Sequence, residues 1–159
     1  MPTAELNQLF IAAIYNGDLE QAKTCLEQGV DVRLSQDYAL YGSINRANLP
    51  MIQLLTSYGV NLYDQNLPLY TAVEKGYVPT VRYLLRQGAD FREDNCKALI
   101  LAIQHGHLPV VQCLIHFGAN LAMGLATAKS IGKHHIVQWL EYYQRSSQPV
   151  LPKNSTPLD

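Results

Sequence analysis

Apolar and small residues recur along the chain with a period of 29 or 30 residues. Each period ends on a glycine, and these glycines are Gly29, Gly59, Gly88 and Gly118. Twelve residues before each glycine stands a second small residue, and these second markers are Gly17, Ala47, Gly76 and Gly106. Self-similarity at a fixed period is typical of repeat proteins. The pattern therefore predicts stacked copies of one structural unit.

The apolar positions within each unit predict two short helices. Apolar residues recur at positions +2, +5 and +8 after the second marker, as Val78, Val81 and Leu84 do in the third unit, and this spacing defines one face of a helix. Before the marker, a large apolar residue stands at −7 and a small one at −4, as Leu69 and Ala72 do. The corresponding large residues in all four units are Phe10, Leu40, Leu69 and Leu99.

The ends of the second helix are also marked in the sequence. Proline stands at +3 in three units, as Pro50, Pro79 and Pro109, and proline fits the first turn of a helix. The glycine at +12 suits the left-handed residue that closes a helix. A single unit cannot bury its apolar face, so we predict that the units stack around one continuous core. A helical bundle without repeats is the rival structure.

These markers divide the chain into a repeat domain over residues 1–144 and a tail over residues 145–159. The predicted repeats span about 5–36, 37–66, 67–95, 96–124 and 125–144. The fifth repeat is shortened and ends without a glycine, which suits a terminal repeat that no neighbour covers. The tail is rich in proline and serine, so it is interpreted either as a flexible end or as a short recruitment or export signal.

The segment CKALILAIQHGHLPVVQCLIHFGAN, residues 96–120, resembles the helix pair of the ankyrin repeat family, and residues 67–90 resemble it nearly as well. The resemblance covers about residues 5–143. It implies an all-α solenoid of about five helix-turn-helix repeats whose function is to bind another protein. The period is shorter than the usual value of about 33, so the projecting hairpin turns should be short. Arrays of this short period are similar to those of giant viruses and intracellular bacteria, which suggests a host-directed effector.

Composition bears on the kind of partner and on the localisation of the protein. The formal net charge is −1, which indicates neither a nucleic-acid surface nor a surface for anionic membranes. No apolar run approaches the roughly 20 residues that cross a bilayer, and the first residues lack the pattern of a secretory signal. Three cysteines without a CxxC pair suit a reducing compartment. We therefore predict a cytoplasmic protein, or one that acts in the host cytosol if it is a secreted effector.

Catalytic and metal-binding chemistry finds little support in the sequence. Cys25 falls at a core position, Cys113 lies beside one and Cys96 opens a repeat. We expect none of them to have a basic neighbour that would generate a thiolate. Cys113 and His116 are one helical turn apart and could form half of a zinc site, but no second half is visible. The ring of His107, in the Gly-His position of the repeat, is expected to bond nearby backbone. We predict no enzyme activity, no cofactor and no metal.

The resemblance places the partner-binding residues on the inner face, which combines the exposed end of each first helix with the hairpin turns. The predicted helix-end residues are Tyr15, Asn16, Asn45, Arg46, Glu74, Lys75, Gln104 and His105. The predicted hairpin-edge residues are Tyr41, Tyr63, Asp64, Tyr70, Arg92 and Glu93. Exposed tyrosine is enriched at interface hot spots. Tyr41 and Tyr70 stand where the family has a histidine, so they either contact the partner or bond neighbouring turns.

These observations predict a non-catalytic module, monomeric alone, that binds a protein through its concave face. It would act by sequestration, by scaffolding or by blocking a site on its partner. The alternative is a regulatory or inhibitory subunit of a partner enzyme. Charges of both signs on the inner face suit a partner protein of mixed charge better than a polyanion.

Overall fold

A computed structural model describes residues 3–32, 36–62 and 67–146. These ranges form ten helices and contain no strand. The helices are α1 (Thr3–Asn16), α2 (Leu19–Glu27), α3 (Gln36–Asn45), α4 (Leu49–Ser57), α5 (Leu67–Glu74), α6 (Val78–Arg86), α7 (Glu93–Gln104), α8 (Leu108–His116), α9 (Leu121–Ile131) and α10 (His134–Ser146). No helix in the described ranges has both the length and the apolar character that a membrane span requires.

The helices form five pairs arranged in two layers. Turns of two or three residues join the helices of each pair, and the paired helices pack against each other. The first helices α1, α3, α5, α7 and α9 also pack in succession, and contacts between second helices form the other layer. This arrangement confirms the predicted all-α solenoid of helix-turn-helix repeats.

The core lies between the two layers and runs through all the repeats. Leucine and isoleucine at +5 and +8, such as Ile52, Leu55 and Leu84, are fully buried. The large apolar residues at −7 are buried as well, from Phe10 in α1 to Leu99 in α7. The +2 residues are half-buried at the edge of this core. Each repeat thus covers the apolar face of the next, which is the physical basis of stacking.

The markers at the helix ends adopt the backbone conformation that glycine favours. Gly76 and Gly106 follow first helices with φ angles of 74° and 75°, and Gly88 follows α6 with a φ of 98°. Ala47 occupies the same position in the second repeat and also has a positive φ, 52°. A side chain in this region is sterically unfavourable, so Ala47 destabilises its turn relative to glycine.

Polar side chains begin several of the helices. Asp18 and Asn48 cap α2 and α4 by accepting hydrogen bonds from the backbone N–H groups of Gln21 and Met51. Asn120 caps α9 in the same way, accepting from the N–H of Met123. These bonds satisfy N–H groups that the first turn of a helix leaves without a partner.

The boundaries of the last repeats differ from the predicted ones. Helix α9 begins at Leu121, so the predicted boundary between residues 124 and 125 falls inside it. The reason is the cap at Asn120, two residues after Gly118, which starts the helix at Leu121. Helix α10 continues to Ser146, beyond the predicted end at residue 144. The remainder of the predicted tail, residues 147–159, lies outside the described residues.

Candidate partner-binding surface

The residues predicted at the ends of the first helices are all exposed. We call this set the inner strip, and it consists of Tyr15, Asn16, Asn45, Arg46, Glu74, Lys75, Gln104 and His105. They occupy positions −2 and −1 before each second marker. Because successive first helices pack side by side, corresponding residues of neighbouring repeats lie next to one another.

Hydrogen bonds between repeats hold the backbone of the inner strip in place. The hydroxyl of Tyr77 donates to the carbonyl oxygen of Asn45 at 3.3 Å. The Nε2 atom of His107 lies 2.8 Å from the carbonyl oxygen of Glu74. In both cases a side chain from one repeat bonds the end of the first helix in the preceding repeat. The predicted bond between His107 and nearby backbone is therefore present, and it acts across the repeat interface.

A groove of about 460 Å³ opens between α1 and α3 at the start of the inner strip. We call it the tyrosine groove, and its lining consists of Tyr15, Tyr38, Tyr41, Gly42, Asn45 and Arg46. Tyr15 is 56% exposed and Tyr38 is 65% exposed. The guanidinium carbon of Arg46 lies 5.3 Å from the centre of the Tyr15 ring, which is a cation–π distance. Aromatic rings and a guanidinium thus share one open depression.

Helical spacing brings these side chains together on α3. Tyr38, Tyr41 and Asn45 stand at i, i+3 and i+7, so they share one face of the helix. At Gly42 a Cβ atom would lie 3.2 Å from the Cγ2 atom of Ile14, so this glycine permits close packing of α1 and α3. Sequence reasoning missed Tyr38, although its three-residue spacing from Tyr41 was the signal that could have found it.

Tyr70 requires a correction to the predicted surface. Its side chain is only 6% exposed, so it offers little area to a partner. The ammonium nitrogen of Lys97 lies 4.7 Å from the centre of its ring and covers it from the next repeat. Tyr70 therefore packs between neighbouring repeats. Tyr41, by contrast, is half-buried and lines the tyrosine groove.

The hairpin turns contribute less to the described surface. Tyr63 and Asp64 lie outside the described residues, and Glu93 is the first residue of α7. Arg92 is exposed, and its backbone N–H donates to the Asp90 carboxylate at 2.8 Å. Arg92 does not line the tyrosine groove.

The inner strip extends further than sequence reasoning indicated. Ser130 and Ile131 occupy the −2 and −1 positions of the fifth repeat, and both are exposed. The Gly132 marker was the sequence signal that could have found Ser130 and Ile131. In the fourth repeat, the ring of His105 stacks on that of His107, with the ring centroids 5.9 Å apart and an angle of 13° between the ring planes.

The statement that no cysteine has a basic neighbour is wrong for Cys113. Arg82 and Arg86 line the same surface depression as Cys113, and their positive charges act to lower the pKa of its thiol. Both arginines come from α6 in the preceding repeat, so the sequence around Cys113 could not reveal them. Burial nevertheless raises the pKa of the Cys113 thiol, and this effect exceeds the lowering by the two arginines. The neutral thiol is therefore favoured, which is unsuitable for a nucleophile.

Within the described part of the chain, no further ligands complete the possible zinc half-site of Cys113 and His116. Within residues 3–32, 36–62 and 67–146, no three histidine, cysteine, aspartate or glutamate side chains form a group that could hold a metal ion. The Nδ1 atom of His116 instead lies 2.6 Å from the carbonyl oxygen of Gln112. Its ring also contacts those of Trp139 and Tyr143 in α10.

Comparison with known proteins agrees with this architecture. A family model described as "Ankyrin repeats (3 copies)" matches residues 9–95 and 62–124, which together include more than half of the chain. The chain belongs to the ankyrin repeat family. Ankyrin repeats generally mediate interactions between proteins, and nothing in the match points to an enzyme.

One curated ankyrin-repeat relative is the B-cell lymphoma 3 protein homolog of Mus musculus. It is 33% identical over 92 residues, a region that covers 53% of this chain and 20% of the relative. The match thus accounts for about a fifth of the relative's length. The similarity supports membership of the ankyrin repeat family.

Proposed function

We propose that this chain is a non-catalytic binding module that holds a partner protein along its inner strip, with the tyrosine groove as the main anchor. The observation that carries the proposal is the open groove lined by three tyrosines and Arg46. Tyrosine and arginine dominate the energetic centres of protein interfaces. A standard interface needs about 800 Å² from each partner, and a strip that continues across several repeats can supply that area.

The fixed geometry of the strip favours affinity. The bonds from Tyr77 and His107 immobilise the helix ends that carry Asn45 and Glu74. The ring of Tyr15 already holds the guanidinium of Arg46. Side chains and backbone that are ordered before binding lose less conformational entropy when the partner arrives.

The charges of the inner strip suit a folded partner of mixed charge. Arg46 in the second repeat is followed by Glu74 and Lys75 in the third. The ion pairs found among the described residues, Lys23–Glu27 and Lys129–Glu141, do not use these side chains. The strip charges therefore favour partners that present opposite charges in the matching order.

The module would act by occupying a surface of its partner. The module would sequester the partner, place it on a scaffold or block one of its sites. If the partner is an enzyme, the module would act as its regulatory or inhibitory subunit, and an activity assay with and without the module separates these roles. A host protein as the partner, and action in a cytosol, remain predictions from the short repeat period and the composition.

The decisive experiment compares wild-type protein with the double variant Tyr15→Ala, Tyr38→Ala. Cross-linking in a lysate of the native source identifies partner candidates, and calorimetric titration of each purified candidate gives its Kd. We expect the double variant to bind at least about tenfold more weakly, because truncation removes two anchors of the groove.

The matched control is the double variant Glu20→Ala, Lys23→Ala, which changes two exposed side chains on α2. It should bind like the wild-type protein. Equal binding by the tyrosine variant and the wild type would place the interface elsewhere and refute this proposal.

A further inference from the structure

A second groove lies on the opposite layer, along the outer surface of the second helices α4, α6 and α8. It consists of two adjoining depressions of about 390 and 360 Å³ that share Val78, Arg82 and Arg86. Gln53 from α4 lines one end, and His116 from α8 lines the other. We call this feature the outer groove. It is separate from the tyrosine groove, which lies between first helices.

The helices that form the outer groove carry no acidic residue. Their sequences are LPMIQLLTS, VPTVRYLLR and LPVVQCLIH, in which Arg82 and Arg86 are the charged side chains. The second helix of the first repeat differs, because it contains Glu20 and a Lys23–Glu27 ion pair at 4.0 Å. The chain as a whole has a formal net charge of −1. The outer groove is therefore locally positive although the chain as a whole is nearly neutral.

The spacing of the two arginines lowers the stability of α6, which favours a role for them in binding. Arg82 and Arg86 are exposed and stand at i and i+4, where like charges repel and destabilise a helix. Arg82 and Arg86 line the outer groove together with Cys113 of the next repeat. A pair of guanidinium groups at this spacing matches carboxylates, which arginine binds through two parallel hydrogen bonds.

Apolar side chains also line the outer groove. Val78 and Phe117 are half-buried there, and the exposed ring of Pro109 stands beside them. A ligand that matches both the arginines and the apolar residues of this groove carries negative charges and an apolar side chain. We propose that the outer groove binds an acidic protein segment whose carboxylates pair with Arg82 and Arg86 while an apolar side chain rests on Val78 and Phe117.

Charge complementarity favours a short protein segment over other anions. A nucleic-acid duplex or an anionic membrane is held by many basic side chains spread over a wide area. The outer groove offers Arg82 and Arg86, with His116 at one end, together with apolar lining side chains such as Val78 and Phe117. Nucleic acid and lipid are therefore outcomes that the experiment must distinguish.

The probe is the peptide EELFEE, titrated into the full chain, with QQLFQQ and EESSEE as comparison peptides. Trp139 provides the signal because it is the single tryptophan, its ring lies 6.4 Å from that of His116, and it stacks on Tyr143. We expect EELFEE to change the Trp139 emission with saturation below about 1 mM and to bind more weakly in high salt. Both comparison peptides should bind at least about tenfold more weakly.

The test variant is Arg82→Gln, Arg86→Gln, and the matched control is Lys23→Gln. Lys23 has the same position in the first repeat as Arg82 in the third, and all three side chains are exposed. The arginine variant should bind EELFEE at least about tenfold more weakly, while Lys23→Gln binds it like the wild type. Circular dichroism should show unchanged helix content in both variants.

Four results would overturn the proposal: no saturation by EELFEE, equal binding by QQLFQQ or by EESSEE, unchanged binding by the arginine variant, or tighter binding of a twelve-base-pair DNA or of phosphatidylserine vesicles. The variant Tyr15→Ala, Tyr38→Ala should bind the peptide normally, because those side chains line the other groove. Failure of this site and failure of the inner-strip function can therefore be told apart.

Discussion

The ring of His107 bonds the backbone of Glu74 in the preceding repeat, with 2.8 Å between Nε2 and the carbonyl oxygen. A carbonyl oxygen can only accept, so the Nε2 atom carries the proton. His107 precedes α8, and Glu74 is the last residue of α5. One side chain thus joins two repeats and fixes the helix end that carries a residue of the inner strip.

Replacing His107 with alanine should weaken the interface between the third and fourth repeats. We expect His107→Ala to lower the free energy of unfolding by about 0.5–1.5 kcal/mol, the net value of one hydrogen bond. Urea denaturation measures this difference. His134→Ala is the control, because that side chain is exposed, and it should change stability by less than about 0.5 kcal/mol. Equal effects of the two substitutions would contradict the role assigned to the bond.

Gly76 should tolerate no side chain, for two reasons. Its φ is 74°, and an added Cβ would lie 2.9 Å from the Nδ1 atom of His107. We expect Gly76→Ala to destabilise the protein by about 2–3 kcal/mol, because left-handed strain adds to displacement of the histidine. Gly29→Ala is the comparison in thermal unfolding. Gly29 also has a positive φ, but no atom lies within 4 Å of a Cβ built there, so its substitution reports the backbone strain alone. A larger effect at Gly29 would contradict this explanation.

Ala47 stands in the second repeat where Gly76 stands in the third, so the opposite substitution, alanine to glycine, can be tested there. Its φ is 52°, a conformation that glycine adopts without the steric cost of a side chain. We expect Ala47→Gly to raise the free energy of unfolding by about 0.5–1 kcal/mol. A matched Ala12→Gly substitution at an exposed position inside α1 should instead lower it, because glycine is unfavourable within a helix. Destabilisation by Ala47→Gly would be the contrary result.

Leu84 and Leu114 test the continuity of the core. Both side chains are fully buried, and each lies in a second helix of a central repeat. Changing either leucine to alanine should cost about 2–5 kcal/mol, from lost apolar burial and the cavity that remains. Leu67→Ala, at a position that is 45% exposed, should cost much less in the same urea denaturation experiment. Costs below about 0.5 kcal/mol at both buried sites would contradict the repeat register.

The three cysteines should react with thiol reagents at different rates. Cys25 and Cys113 are 1% and 7% exposed, whereas Cys96 is partly exposed. We expect Ellman's reagent to modify Cys96 first in the native protein and to modify all three rapidly in denaturant. Burial also raises the pKa of the Cys113 thiol, which disfavours the reactive thiolate. Native reaction of Cys113 as fast as that of Cys96 would show that the outer groove is more open than described.

Much of the inner strip could be predicted from the sequence, but its shape could not. Register alone identified Asn45, Arg46, Glu74 and Lys75, because the two residues before the second marker are exposed in every repeat. The same reasoning treated Tyr70 as a surface candidate, and only packing against Lys97 of the next repeat showed that it is buried. Tyr38 was missed because the groove that exposes it is formed by two helices from different repeats.

The sequence by itself determined the period, the helix pairs and the buried leucine and isoleucine positions, because helix periodicity, glycine conformation and proline placement are local properties of the chain. Tertiary structure decided which side chains meet across repeats. The approach of Arg82 to Cys113, of Arg46 to Tyr15 and of His107 to Glu74 joins residues about 30 positions apart. Such distances depend on how closely neighbouring helices pack, and that spacing is set by all the side chains at the interface together.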